Sequence, residues 1–307
     1  MPPKPIPEPS AYGLTRATDH PLYWCTYGAP GAARLLVLHG GPGAHHDYLL
    51  PQMLDLARAA GGRELLFYDQ RGGGRSKAPS SDAPITWETQ VGDVGAVVRE
   101  FALDPLVIVG YSWGGLLALL YSASAPRLGF PVPEALVAID PAPISRPFRH
   151  QFEQEFAQRQ ASPEAQRLRR ELNEGGLRER DPEAYRQRNF ELSVAGYFAD
   201  PVSARDLTPF RVSARVQQSV WDSLGDFDLA ADGTLASIKA STLIVHGRQD
   251  PIPLASSERA ASIMGAGLVV LDNCGHVPYV EQSAALFAAI DSFLSHPEPR
   301  AHSPQPR

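Results

Sequence analysis

Short apolar segments alternate with amphipathic ones along most of the chain. The apolar segments are rich in Leu, Val and Ile, and they occupy residues 34–38, 64–68, 106–109, 135–139, 242–245 and 268–271. Continuous rather than alternating apolar residues are typical of strands that are covered on both faces. Helical spacing of apolar residues marks segments between them, at residues 88–101, 116–124 and 283–294. The pattern predicts an α/β fold with a mostly parallel sheet flanked by helices, and an antiparallel edge strand at residues 22–27.

The pattern changes between residues 145 and 235. Arg, Glu and Gln become dense there, and no run has the composition of a buried strand. We expect several amphipathic helices inserted between two strands of the sheet. Because α/β proteins bind ligands at the carboxyl edge of the sheet, we expect this insertion to cover that edge. The predicted organisation is a core of residues 1–144 and 236–307 with a helical cap at residues 145–235.

Composition narrows the class of protein. A net charge of −6 argues against a nucleic-acid partner, which would favour a basic face. No apolar run is long enough to span a bilayer and the first residues do not form a signal peptide, so we expect no membrane partner. The two cysteines, Cys25 and Cys274, are typical of free thiols in a reducing cytoplasm, although one disulfide is the alternative. Nothing in the composition indicates an oligomeric state.

The sequence Gly-Tyr-Ser-Trp-Gly at residues 110–114 follows a predicted strand and precedes a predicted helix. A sharp strand-to-helix turn of this kind lifts the serine hydroxyl above the sheet edge and places it at a helix N-terminus. The exposed N–H groups and the helix dipole there favour a developing negative charge. Ser112 is therefore the candidate nucleophile, and an ordinary serine in a glycine-rich turn is the alternative.

A serine nucleophile needs a base, and His276 is the candidate among the nine histidines. It lies just after the last predicted strand, at the sheet edge where the nucleophile turn also opens. Asp250 follows the preceding strand and would accept a hydrogen bond from the imidazole. Asp140, at the end of another strand, is the competing acid, while His246 and His39 are the less favoured bases. The chain order Ser112, Asp250, His276 supports the first assignment.

The glycine-rich segment His-Gly-Gly-Pro-Gly at residues 39–43 is the candidate oxyanion loop. Glycines let backbone N–H groups turn towards a tetrahedral oxyanion. We expect the two donors to be the N–H groups of Gly41 and Trp113, and we expect Gly40 to contact the substrate. A connecting loop without such a role is the alternative.

These motifs occur in the order seen in proline iminopeptidases. Four segments carry the resemblance: residues 39–43, Tyr-Asp-Gln-Arg-Gly-Gly-Gly-Arg-Ser at 68–76, Gly-Tyr-Ser-Trp-Gly-Gly at 110–115, and Gly-His at 275–276. The chain resembles this family of serine peptidases over about residues 20–144 and 238–294, and only loosely between them. The resemblance implies the α/β-hydrolase fold with an inserted helical cap, and an aminopeptidase activity.

The resemblance also implies carboxylates in the cap that hold the free amino terminus of the substrate. The candidates are Glu191 and Asp226, and the second departs from the family pattern, which usually has glutamate there. A buried ammonium needs such a partner because an unpaired buried charge is costly. Tyr197 and Trp221 are candidates for lining the pocket of the first side chain. Surface acids and core aromatics are the alternative interpretation of all four residues.

We therefore expect a serine aminopeptidase that releases N-terminal residues, with proline as one candidate, from short peptides through an acyl-enzyme. An esterase, lactonase or amidase acting on a small uncharged substrate would use the same catalytic core. A binding protein on the same scaffold is the third alternative. No zinc-like spacing or nucleotide loop is present in the sequence, so we expect no metal or organic cofactor. The expected partner is a small peptide or other small-molecule substrate.

Overall fold

The computed structural model describes residues 5–59, 61–77 and 84–295. Within these residues, one sheet has the strand order β1-β2-β4-β3-β5-β6-β7-β8. Its strands are β1 Ala11–Leu14, β2 Tyr23–Gly28, β3 Arg34–Leu38, β4 Glu64–Tyr68, β5 Val107–Tyr111, β6 Ala135–Ile139, β7 Ser241–Gly247 and β8 Gly267–Leu271. All neighbours from β4 through β3 to β8 are parallel, whereas β1 and β2 are antiparallel. The predicted mostly parallel sheet is confirmed.

The antiparallel strand predicted at residues 22–27 is present as β2, but it is not the edge of the sheet. β1 pairs with its free side, from Ala11 opposite Thr26 to Leu14 opposite Tyr23. Most of β1 is exposed, and Tyr12 and Leu14 are among the most exposed large apolar side chains described. A strand with no buried face leaves no apolar pattern for sequence analysis to detect.

Helices cover the sheet and fill the connections between its parallel strands. The α-helices are α1 Trp87–Glu100, α2 Trp113–Leu128, α3 Arg146–Gln160, α4 Pro163–Glu174, α5 Leu177–Arg180, α6 Pro182–Val194, α7 Ala214–Leu224, α8 Thr234–Ser237, α9 Leu254–Met264, α10 Pro278–Glu281 and α11 Ser283–Ser295. Short 3-10 helices occupy His46–Leu49, Gln52–Arg58, Ala195–Tyr197 and Pro201–Asp206. The helical segments predicted at residues 88–101, 116–124 and 283–294 correspond to α1, α2 and α11.

Two apolar clusters lie on the two faces of the sheet. One joins α1, α2 and α9 to strand residues such as Leu36 and Ile108, and the other joins α11 to their neighbours Val37 and Val109. Successive side chains of a strand point to opposite faces, so a strand with both faces covered must be apolar throughout. This explains why these strands could be read from the sequence.

The helical insertion is the chain between β6 and β7, and it contains α3 to α8. Its two ends meet where Ser145 pairs with Asp228 in an isolated antiparallel bridge. No residue of α3 is fully buried, which fits its high content of Arg, Glu and Gln. The inserted helical region is therefore confirmed. Whether residues 145–235 form a cap domain of their own stays a prediction, since Leu235 in α8 packs into a core cluster.

Candidate active site

Ser112 stands between the last residue of β5 and the first residue of α2, in the turn that the motif predicts. Its φ of 53° lies in the left-handed region, which few residues other than glycine adopt. A Cβ on Gly110 would lie 2.3 Å from the carbonyl oxygen of Gly114, and one on Gly114 would lie 2.2 Å from that of Leu38. Strand, turn and helix thus approach each other so closely that only glycine fits two positions before and two positions after the serine.

Ser112, His276 and Asp250 come together at the carboxyl edge of the sheet. Ser112 Oγ lies 2.9 Å from His276 Nε2, and His276 Nδ1 lies 2.7 Å from Asp250 Oδ2. The other oxygen of Asp250 accepts the N–H of Ile252 at 2.7 Å. The three side chains follow β5, β7 and β8, so the ends of three parallel strands bring them together. A chain of hydrogen bonds from hydroxyl to imidazole to carboxyl is the arrangement that activates a serine as a nucleophile.

Burial sets the protonation of this chain of groups. It lowers the pKa of His276 to about 4, because the charged imidazolium is poorly solvated there. It raises the pKa of Asp250 for the same reason, while the hydrogen bond from the Ile252 N–H acts in the opposite direction. His276 is therefore neutral at pH 7, with Nε2 free to accept the proton of Ser112.

The two expected oxyanion donors, Gly41 and Trp113, belong to the loop after β3 and to the start of α2. Gly41 lines the same pocket as Ser112, and its φ of 52° turns the loop after β3. Trp113 is the first residue of α2, so its N–H has no partner within the helix. That these two N–H groups bind the oxyanion of an attacked carbonyl stays a prediction.

The loop that carries Gly41 is held by His39 and Gly40. Gln70 donates its N–H to His39 Nε2 at 3.0 Å, so His39 Nδ1 carries the proton and donates to the Gly40 carbonyl oxygen at 2.9 Å. A Cβ on Gly40 would lie 2.7 Å from the Cβ of Ser112. The N–H of Gly40 donates to the Tyr48 hydroxyl at 2.7 Å, which gives Gly40 a packing role beside the nucleophile.

The pocket above Ser112 has a volume of about 340 Å³. Aromatic and aliphatic side chains form most of its wall: Tyr48, Tyr111, Phe156, Phe190, Val194, Tyr197, Leu207, Phe210, Val212, Val277 and Tyr279. No carboxylate, ammonium or guanidinium belongs to the described residues that line it. The walls continue through Phe190 and Phe210 into an outer groove of about 770 Å³. The inner pocket fits an uncharged, apolar group.

The structure does not bring Glu191 or Asp226 to this pocket. Phe190 and Val194 on α6 face the pocket, whereas Glu191 lies on the side of the helix that lines a different groove. Its carboxylate accepts hydrogen bonds from Gln187 and Arg188, at 3.1 and 2.7 Å. Asp226 is exposed in the loop after α7. The expectation that these two acids hold a substrate amine from the pocket wall is therefore not supported by their positions.

Of the two predicted aromatic residues, one lines the pocket and one does not. Tyr197 is part of the wall, with its ring centroid 5.2 Å from that of His276. Trp221 packs edge-on against Trp113 at 5.4 Å, and the Arg149 guanidinium lies over its ring at 4.1 Å. It supports the start of α2 rather than contacting the pocket.

Sequence reasoning missed most of the pocket wall. Tyr111 stands next to Ser112 in the nucleophile motif, so its position could have been found, and its hydroxyl donates to the His276 carbonyl oxygen at 2.7 Å. Tyr48 and Phe210 come from segments without a motif, and their rings stack at 4.4 Å. Contacts between such distant segments leave no local signal in the sequence.

The segment from Tyr197 to Asp200 in the helical insertion is tied to the loop that carries His276. The His276 N–H donates to the Tyr197 carbonyl oxygen at 2.6 Å. Glu281 Oε1 accepts the N–H groups of Ala199 and Asp200 at 2.9 and 3.0 Å, and its Oε2 accepts that of Gly275 at 2.7 Å. One carboxylate therefore bridges the insertion and the histidine loop.

One group of buried side chains, Asp140, His246 and Asp250, is compact enough to be considered for a metal ion, with one polar atom of each within 4.8 Å of the others. Both ring nitrogens of His246 are already used, at 3.1 Å from the Ile252 carbonyl oxygen and 2.9 Å from Ser257 Oγ. Asp250 binds His276. We therefore assign this group to the acid end of the site and not to a metal.

Comparisons with known proteins fit this geometry. A model of the alpha/beta hydrolase family matches residues 35–290. The proline iminopeptidase of Lactobacillus delbrueckii subsp. lactis is 39% identical over 105 residues, which span 32% of this chain and 35% of that protein. The chain thus matches about a third of the length of this curated relative.

Solved structures share the fold at low sequence identity. A proline iminopeptidase-related protein from Thermus thermophilus superposes with a TM-score of 0.70 at 20% identity, covering 94% of this chain and 98% of the other. E-2-(acetamidomethylene)succinate hydrolase superposes with a TM-score of 0.67 at 16% identity, covering 93% and 99%. Within the described residues, no helix combines the length and apolar character needed to cross a bilayer.

Proposed function

Because the chain belongs to the alpha/beta hydrolase family, we propose that it is a serine hydrolase with Ser112 as nucleophile, His276 as base and Asp250 as the supporting acid. The observation that carries the proposal is the continuous hydrogen-bonded chain from Ser112 Oγ through His276 to Asp250. The strained backbone of Ser112 supports it, because such conformations persist where function requires them.

The proposed reaction proceeds through an acyl-enzyme. Ser112 Oγ attacks the substrate carbonyl carbon while His276 Nε2 takes the hydroxyl proton, and the N–H groups of Gly41 and Trp113 bind the resulting oxyanion. His276 then gives its proton to the leaving alcohol or amine as the tetrahedral intermediate collapses. A water molecule, deprotonated by His276, attacks the acyl-enzyme and releases the acid and free Ser112.

We propose that the substrate is an ester or amide with a small, uncharged and largely apolar acyl group. The pocket wall supports this class, because its described residues include no charged group that would pair with an ionised substrate. A volume of about 340 Å³ limits the group held next to Ser112, while the outer groove leaves room for a longer leaving group.

Aminopeptidase action on short peptides is the second candidate. The motif resemblance and the partial identity to proline iminopeptidases favour it. Several aromatic side chains line the pocket, and aromatic rings can serve an amine as cation–π partners in place of a carboxylate. Under this candidate, Glu191 and Asp226 would still have no direct part in binding.

Two measurements test the proposal. A fluorophosphonate should label the wild-type protein and leave Ser112→Ala unlabelled, and failure to label the wild type would remove the serine hydrolase assignment. Initial rates should then be compared on nitrophenyl butyrate, proline naphthylamide and its N-acetyl form. Fast ester cleavage with no preference for a free amine supports the uncharged class. A strong preference for the free-amine naphthylamide supports the aminopeptidase.

Glu191→Gln and Asp226→Asn, which remove one charge each, should be measured on the same three substrates. Because Glu191 is paired with Arg188 and Asp226 is exposed, each variant should retain its rate within about twofold on every substrate. A loss of about tenfold or more confined to free-amine substrates would mean that these acids reach the substrate after all.

A further inference from the structure

A second carboxyl group lies buried at the acid end of the candidate site. Asp140 directly follows β6 with a φ of 40° and has no solvent exposure. Its Oδ1 accepts the N–H of Gly247 at 2.7 Å. Its Oδ2 is buried and has no hydrogen bond from the N–H and O–H donors of the described residues. A fully buried carboxylate oxygen without a donor is costly, so this atom requires an explanation.

Asp250 carries the neighbouring carboxyl group. Oxygen atoms of the two carboxyls lie within 4.8 Å of each other. Asp250 already accepts hydrogen bonds from His276 and the Ile252 N–H, but its oxygens have further lone pairs. Two carboxyls so close in a buried site cannot both be ionised unless a cation lies between them.

Among the described residues, the imidazole beside Asp140 does not supply that cation. His246 Nδ1 is 3.7 Å from Asp140 Oδ1, but its Nε2 donates to the Ile252 carbonyl oxygen and its Nδ1 accepts from the Ser257 hydroxyl. Burial lowers the pKa of His246 to about 4, which leaves the ring neutral at pH 7.

The other polar groups that the structure describes around the pair do not neutralise it either. Tyr111, His276, Cys274 and Tyr279 interact electrostatically with Asp140, and Arg159 and Glu281 interact electrostatically with Asp250. The guanidinium of Arg159 is engaged by Glu155 and by the carbonyl oxygens of Gly196 and Gln249.

We propose that Asp140 keeps a proton on Oδ2 and donates it to the Asp250 carboxylate, so that the two acids carry one negative charge. Asp140 then acts as a positioning residue for the acid that supports His276, and this role rests on the proposed function of Asp250. Burial raises the pKa of Asp140 well above its usual range, in agreement with a retained proton. The donated hydrogen bond helps Asp250 stay ionised when His276 becomes charged.

A spectroscopic measurement tests the proton without reference to activity. Infrared difference spectra at pH 7 should show the carbonyl stretch of a protonated carboxylic acid in the wild type, and Asp140→Asn should remove that band. Asp272→Asn, which changes an exposed aspartate paired with Arg248, is the control that should keep it. If the band is absent from the wild type or persists in Asp140→Asn, the proposal is overturned. Should Asp140→Asn fail to fold, Asp140→Gly replaces it, because glycine suits the positive φ.

Kinetics test the positioning role. Asparagine can still donate to Asp250, so Asp140→Asn should keep kcat within about threefold. Asp140→Gly removes the donor, so kcat should fall about ten- to a hundredfold with KM unchanged. In Asp140→Gly the acid limb of kcat/KM should also move to higher pH. The Asp250 carboxylate, without the hydrogen bond from Asp140, stabilises the imidazolium of His276 more and so raises its pKa.

Equal losses in the two variants, or no loss in Asp140→Gly, would contradict the role. Fluorophosphonate labelling of Ser112 separates this outcome from failure of the hydrolase assignment. Without labelling, the hydrolase proposal fails while the infrared band still tests the proton on Asp140.

Discussion

The side chain of Ser112 makes its one described hydrogen bond with His276, and its backbone adopts a positive φ. Ser112→Ala should therefore lower kcat at least about a thousandfold, because the nucleophile is lost, while the unfolding temperature changes little. Ester hydrolysis and thermal unfolding measure the two effects. More than a few per cent residual activity would remove Ser112 from the mechanism.

His276 determines how the activity depends on pH. Burial lowers its pKa from the ordinary 6.5 to about 4, so the neutral base persists as the pH falls through 6. We expect kcat/KM to stay level from pH 7 to below pH 6 and to fall only as His276 gains its proton at lower pH. The profile should be measured with an uncharged ester, with circular dichroism at each pH as the control for unfolding. An acid limb centred near pH 6.5 would show that His276 is solvated.

At the scale of single residues, the sequence pattern predicted candidate groups on the loops that follow strands. Ser112, Asp250 and His276 were expected to lie together because the ends of parallel strands meet at one edge of the sheet, and their side chains do form one hydrogen-bonded chain. Glu191 was expected at the pocket wall, whereas it lines a different groove in the structure, since a difference of one position on α6 turns a side chain by about 100°. The second acid, Asp140, was considered only as a competitor for Asp250, because the pattern contains nothing about two carboxyls sharing a proton.

At the scale of elements, the turn between β5 and α2 has no room for a side chain at Gly110 or Gly114. A Cβ on Gly114 would lie 2.2 Å from a backbone oxygen of β3, so Gly114→Ala must displace a strand or the helix. We expect a loss of about 1–3 kcal/mol or more in the free energy of unfolding. Denaturant unfolding measures it.

Gly92 provides the matched control for that change. It lies in α1, and a Cβ there would meet nothing within 4 Å. Gly92→Ala should therefore stabilise the protein by about 0.5–1 kcal/mol, because alanine favours the helix. If both alanine variants shifted stability in the same direction, the close packing of the turn would not be the cause.

The strands differ in how well the sequence predicted them. The segment at residues 34–38 was assigned without error because both of its faces are buried, so every residue is apolar except the first. β1 was missed because three of its four residues are exposed. Helices of the insertion were expected as a group, but how their faces are oriented depends on contacts with Tyr48, Phe210 and other distant residues, which no local period encodes.

At the scale of the whole molecule, Glu281 links the insertion to the histidine loop. In Glu281→Gln an amide N–H₂ would replace one of two oxygens that accept backbone N–H groups, and donor would face donor. We expect a loss of about 1–3 kcal/mol of stability together with a lower kcat, because both the insertion and His276 lose their common anchor. Thermal unfolding and ester hydrolysis measure both effects.

Glu258 in α9 is exposed and serves as the control, since Glu258→Gln should change neither quantity. A variant of Glu281 that kept both stability and rate would show that the backbone bond from His276 to Tyr197 is sufficient by itself.

The same backbone bonds limit how this protein can be recombined with others. A chimera that exchanged residues 145–235 for the corresponding segment of another hydrolase would also exchange the carbonyl oxygen of Tyr197, which accepts the N–H of His276. If the segment from the other hydrolase followed a different path at residues 197–200, the histidine loop would move, even where the new pocket fitted the new substrate. A working chimera should therefore either keep residues 197–200 of this protein or take both that segment and the histidine loop from the other hydrolase.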